Sequence, residues 1–166
     1  MRLSWTENND CHVEVQMNSK IQSFVRQLIG RKLESLCCEA EILDFGFSGD
    51  LVLHAMGCSR IIADNDILVT TFDYQSWDGK DSTNNDERYN ADRFRDRIIG
   101  GSVVSVTLNQ INDLCVMLDN GVSIECLIAN AQPHYEQEAE QWLLFEHTDD
   151  HSGRFLIAYN KRLEFP

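Results

Sequence analysis

The sequence predicts an α+β fold, predominantly antiparallel β, built as two related helix-plus-β-meander repeats packed into one compact domain. Three observations lead there. First, Phe24-Val-Arg-Gln-Leu28-Ile29-Gly30-Arg-Lys-Leu33-Glu-Ser35-Leu36 recurs 70 positions later as Phe94-Arg-Asp-Arg-Ile98-Ile99-Gly100-Gly-Ser-Val103-Val-Ser105-Val106. Second, with one extra residue the match continues, laying Phe45–Leu53 over Val116–Ile124. Third, both of those stretches alternate apolar residues around a turn signal, Ser48-Gly49-Asp50 in one and Asp119-Asn120-Gly121 in the other. Glycine reaches positive φ without a Cβ clash, which tight hairpins require, and period-2 alternation marks half-buried strands.

The elements follow in order. Residues 1–17 form a polar leader, and 18–166 the globular domain, with repeats at about 18–77 and 90–160. Asn18 or Ser19 caps a first helix running to about Ile29, and Gly30 stops it. Ser59 to Ile62 and Ile67 to Phe72 read as strand, turn, strand around Asp64-Asn65-Asp66. Residues 78–89, rich in Asp, Asn and Ser, are a polar connection. Asn90 caps a second helix running to about Ile99, stopped by Gly100. Tyr135, Ala139, Trp142 and Leu143 recur at helical spacing from near His134. A short helical lead-in is therefore expected before a strand at Trp142 to Phe145. Phe155 to Tyr159 supplies the last strand.

Composition narrows the function. The 166 residues carry a formal net charge of -13, from 27 Asp and Glu against 14 Lys and Arg. Between Arg97 and Arg154 there is no cation, while nine carboxylates accumulate. The first repeat keeps Lys20, Arg26, Arg31, Lys32 and Arg60. A negative field of this kind repels nucleic acid and anionic membrane and attracts cationic partners; solubility is the plainer explanation. No apolar run approaches the ~20 residues of a membrane span. The opening MRLSWTENNDCHVEV lacks the basic and apolar regions of a signal peptide, so a cytoplasmic protein is expected. Six cysteines without a Cys-x-x-Cys pair argue against a zinc ribbon and for reduced structural thiols.

Catalytic patterns are sought and not met. Gly46-Phe-Ser48-Gly49 misplaces the second glycine of a nucleophile elbow and sits in a hairpin. His147-Thr-Asp149-Asp150-His151 has an i, i+4 histidine pair, but Ser152-Gly153 follows at once, as in a loop. His54 alternates with Leu51 and Leu53, as a sheet-surface residue does. No phosphate loop or calcium loop is present, so neither an enzyme nor a cofactor is expected. The alternative is a small metal- or ligand-binding domain using His54, His147 and His151. Arg88, Arg93, Arg95 and Arg97 interleave with Asp86, Glu87, Asp92 and Asp96, a solvated helix face rather than a phosphate-binding stripe.

Several segments together resemble immunity proteins of contact-dependent growth inhibition and related polymorphic-toxin systems. They are Leu28-Ile29-Gly30, the Phe45-Gly-Phe47 to Leu53-His54 hairpin, Ser59-Arg60-Ile61-Ile62 with Phe72-Asp73, and Glu140-Gln-Trp142-Leu-Leu-Phe145. The resemblance implies an acidic cytosolic protein without catalytic activity that binds the C-terminal toxin domain delivered by a neighbouring cell. It transfers no contact residue. Physical reasoning supplies candidates on the loops: Asp64, Asp66, Asp73, Trp77, Asp78, Glu136, Glu138, Glu140, Asp149 and Asp150. The expected partner is a basic, nuclease-type domain; the expected state is a monomer or weak homodimer, and a homodimeric structural module is the third alternative.

Overall fold

Buried residues alternate with half-buried ones along most strands, so each sheet turns one face inward. The computed structural model describes residues 19–130 and 138–166. The chain begins with helix α1 (Ser19–Val25), extended by a 3-10 turn at Arg26–Leu28. Five strands follow: β1 (Leu33–Glu39), β2 (Ile42–Phe47), β3 (Leu51–Ala55), β4 (Cys58–Ala63) and β5 (Asp66–Thr70). A 3-10 segment at Thr71–Ser76 leads towards helix α2 (Asp86–Ile98). Then come β6 (Val103–Leu108), β7 (Leu114–Leu118), β8 (Ser123–Leu127), β9 (Glu140–Glu146), β10 (Phe155–Tyr159) and β11 (Leu163–Glu164). The fold is α+β, mostly antiparallel strands in two sheets.

The strand order departs from two self-contained meanders. One sheet runs β1-β2-β3-β9-β10-β11 and the other β5-β4-β8-β7-β6. After three strands the chain leaves its sheet, and its next two strands complete the other one. The crossing is made at Met56-Gly57, whose N–H groups both donate to the Gln141 carbonyl at 2.9 and 2.8 Å. A Cβ on Gly57 would stand 3.3 Å from the Gln141 carbonyl oxygen and 2.7 Å from its movable Oε1, so the two chain segments pass closely here. Inward residues of both sheets, among them Leu36, Leu43, Phe45, Leu53, Ile61, Leu114, Ile124, Trp142 and Leu144, belong to one buried core. Trp142 is fully buried, and its Nε1–H donates to the Asn112 carbonyl at 2.9 Å. Truncating such a side chain costs roughly 3–5 kcal/mol.

Hydrogen bonds near the two helix ends come in matched pairs. Gly30 N–H donates to Val103 O (2.8 Å) and Gly100 N–H to Leu33 O (2.7 Å). Val103 N–H donates to Arg31 O (2.8 Å) and Leu33 N–H to Gly101 O (2.9 Å). Lys32 and Ser102 form an antiparallel bridge with one another. Ser48 Oγ accepts from Lys32 N–H at 3.0 Å, and Asp119 Oδ1 accepts from Ser102 N–H at 2.8 Å. Gly30 and Gly100 end their helices at φ +83° and +94°, the left-handed region in which glycine avoids the Cβ penalty.

Helix α2 begins earlier than the sequence suggests. Its N-cap is Asn85, whose Oδ1 accepts from Arg88 N–H at 2.8 Å, so Asn90 lies inside the helix and 86–89 leave the polar connection. Arg93 is exposed, while Arg88, Arg95 and Arg97 brace the helix against other elements. Arg88 donates to the Cys38 carbonyl at 2.8 Å and Arg95 to the Leu36 carbonyl, covering the edge strand β1. Arg97 donates to Asn120 O at 2.8 Å and pairs with Asp64 at 3.2 Å. Adjacent Cys37 and Cys38 point oppositely, exposed and buried. Among the described residues, no helix is long and apolar enough to cross a membrane.

Candidate protein interface

The acidic candidates fall on separate loops rather than in one patch. Asp64 and Asp66 are exposed at the β4–β5 turn, in the five-stranded sheet. Asp73 is half-buried on the Thr71–Ser76 segment and accepts from Asn90 Nδ2 at 3.3 Å. Trp77 stacks on Tyr74 with centroids 5.6 Å apart. Asp78 accepts from Lys80 N–H, Asp81 N–H and Asn84 Nδ2, bonds that lower its pKa. Glu138 pairs with Arg162 at 2.6 Å. Glu140 opens β9 and is exposed. Glu136, the helical lead-in near His134, and the leader 1–17 lie outside the described residues. Asp149 and Asp150 are exposed in the β9–β10 hairpin, where Ser152 N–H and Oγ donate to Asp150 and lower its pKa.

Asp149 and Asp150 lie between Thr148 and His151, two residues that line a hollow. A pocket of about 310 Å³ is lined by Leu143, Phe145, Glu146, His147, Thr148, His151, Gly153, Phe155 and Ile157. None of these is a lysine or arginine. The pocket opens on the outer face of the six-stranded sheet. Two rows of outward side chains cross that face, Val52–Phe145–Phe155 and Asp44–His54–Leu143–Ile157. Phe145 meets the His54 ring edge-on at 4.9 Å, and His54 Nε2 lies 3.3 Å from Asp44 Oδ2. Glu146 pairs with Arg154, which lowers the carboxyl's pKa and keeps it charged. Leu143, Phe145, Phe155 and Ile157 were not among the sequence candidates. Their signal was available: Trp142-Leu-Leu-Phe145 and Phe155-Leu-Ile157 are apolar on both strand faces, where a sheet with one face in water should alternate.

A second cleft, of about 300 Å³, brings Glu41 and Glu140 together with Met56, Phe72 and Tyr74 where the chain crosses between sheets. The histidines divide between two settings: His147 and His151 line the apolar pocket, while His54 is held by Asp44. Among the described residues, no group of three or more His, Cys, Asp or Glu side chains is arranged to hold a metal ion.

One titratable group is buried away from both hollows. Glu87, in the first turn of α2, is fully buried, and among the described residues neither carboxyl oxygen finds a hydrogen bond of ordinary geometry. Burial, followed by the nearby Asp73 and Glu41 charges, pushes its pKa up to about 8. The adjacent Cys38 thiol is pushed up to about 12, by burial first and Glu87 second, which leaves it unreactive. Compared with known proteins, the chain matches no family model, no curated protein and no solved structure.

Proposed function

We propose that this chain is a cytoplasmic immunity protein, one that neutralises a basic toxin domain by stoichiometric binding and turns over no substrate. The observation that carries the reading is the disposition of charge. Arg60, Arg88, Arg95, Arg97, Arg154 and Arg162 are each held by a carboxylate of the chain itself. The excess acid is left on loops and strand ends, including Asp66, Glu140, Asp149 and Asp150, all exposed. A surface of that kind speeds capture of a cationic partner, by roughly 10 to 10³ in association rate, and suppresses wrong partners.

The same reading includes a duplicated architecture. Two copies of a helix-plus-five-strand unit, each donating its last hairpin to the other's sheet, account for the strand orders. Adding five to each label of β1-β2-β3-β9-β10 and cycling past ten returns β6-β7-β8-β4-β5. The matched bonds around Lys32 and Ser102 support that reading, in which the two units are related by a pseudo-two-fold axis between them.

The test is co-purification and titration with the toxic domain encoded immediately upstream of this chain's gene. A one-to-one complex that abolishes toxicity is expected. An upstream gene without such a domain, or a domain that the protein does not bind, rejects the reading.

A further inference from the structure

The two sheets differ most at one cross-strand position. In the five-stranded sheet the outward pair on the central strands is Arg60 opposite Glu125, bonded to each other and flanked by Cys115 and Thr70. In the six-stranded sheet the corresponding outward pair is Leu143 opposite His54, flanked by Ile157 and Asp44. The neighbouring rows are Met117–Ser123–Ile62–Ile67 in one sheet and Val52–Phe145–Phe155 in the other. One outer face closes on its own ion pair. The other is apolar at its centre and holds a pocket of about 310 Å³.

We propose that this outer face, centred on Phe145, is the surface that docks the cationic toxin domain. An apolar side chain of the partner sits in the pocket, and its lysines and arginines lie over Asp44, Glu146, Asp149 and Asp150. The proposal rests on the immunity reading and adds the contact surface to it. Charge complementarity chooses the occupant. Among the described residues the pocket lining has no lysine or arginine, and Arg154, next to Gly153 of that lining, is held by Glu146 and lies over the Phe24 ring. A second copy of so acidic a chain would bring carboxylates against carboxylates, which costs affinity. An apolar centre inside a charged rim is also the usual anatomy of a protein interface, with the anchor near its middle.

Two experiments on the full chain test it, with the upstream-encoded toxin domain as probe. The double change His54→Glu with Leu143→Arg installs the ion pair that the other sheet already carries, so the fold is expected to tolerate it. The dissociation constant should rise about 100-fold, the scale of losing a central anchor. The reciprocal Arg60→Leu with Glu125→His should leave it within about 2-fold, as expected away from the interface. Should the first variant not fold, Ile157→Thr, which copies Thr70, replaces it with an expected loss of about 10-fold. Unchanged affinity in these variants overturns the docking surface and leaves the immunity reading intact; no binding by the unaltered chain ends both. In the second experiment, Phe145→p-benzoylphenylalanine is irradiated with and without toxin. A crosslink to the toxin supports the proposal. A crosslink to a second copy, or to this chain's own residues, overturns it.

Discussion

The outer faces of the two sheets are both built on antiparallel strands and differ in their side chains. In the five-stranded sheet, Arg60 and Glu125 satisfy one another beside Thr70, and the apolar side chains of the next row, Met117 and Ile67, stand exposed on either side of Ser123 and Ile62, while the hollow of about 310 Å³ lies on the other sheet. Along β9 and β10, Leu143, Phe145, Phe155 and Ile157 stand half-buried, and among the described residues no strand layer covers them. Half-covered apolar surface inside an acidic rim has no advantage for solubility, and contiguous exposed apolar patches on soluble proteins mark interaction sites. Under the proposed function, the Arg60–Glu125 position belongs to the scaffold and the Leu143–His54 position to the recognition surface.

That contrast can be attacked at the rim. Asp149→Lys with Asp150→Asn reverses charge beside the pocket and keeps a side chain able to cap the turn. Association with the toxin domain should slow about 10-fold at low salt, and the gap should narrow as salt screens it, read by stopped-flow mixing. If the rate is unchanged, the rim does not steer.

The interior gives a control that separates stability from recognition. Glu87 has a folded-state pKa of about 8, above its unfolded value near 4.5. Between these the folded state holds the extra proton, so stability is fully present below pH ~4.5 and falls as pH rises through ~8. Glu87→Gln should flatten that slope and melt a few °C higher than the parent at pH 9, measured by calorimetry. Toxin affinity should not follow. A binding constant that tracked this titration would move the determinant from the face to the α2 end of the core.

On the polar face, Arg60→Ala breaks a pair whose partners are both more than a fifth exposed. Solvent screening limits the loss to about 0.2–1 kcal/mol in a denaturant melt, with binding untouched. The smallest effect is expected at Trp77. Its ring is 39% exposed and leans on Tyr74, away from the β3–β9 ladder, so Trp77→Ala should change affinity by less than about 2-fold in calorimetric titration. A tenfold loss would shift the interface to the crossing-point cleft.

Local structure was legible in the sequence and long-range pairing was not. Asp119-Asn120-Gly121 and Ser48-Gly49-Asp50 marked two hairpins that form as read, because turn chemistry and alternation act between neighbours. The exit of β4 and β5 to the other sheet left no local mark. Period-2 alternation says which side of a strand is buried and nothing about which strand lies beside it. The helix start was misread because Asn85 and Asn90 are equally good caps by type. Asn85 wins because its side chain reaches Arg88 N–H at the point where the backbone turns helical. Among the candidate residues, Asp149 and Asp150 were found by charge. The apolar residues beside them carry no charge, so a search by charge does not reach them.

The central claim is neutralisation by stoichiometric capture of a basic partner, and titrating a fixed amount of the upstream-encoded toxin domain with this protein tests it most directly. The account predicts that toxin activity falls linearly to zero at one equivalent, with an affinity that weakens steadily as salt is raised. Activity that decays with time at a small fraction of an equivalent, or that is untouched at several equivalents, would contradict it.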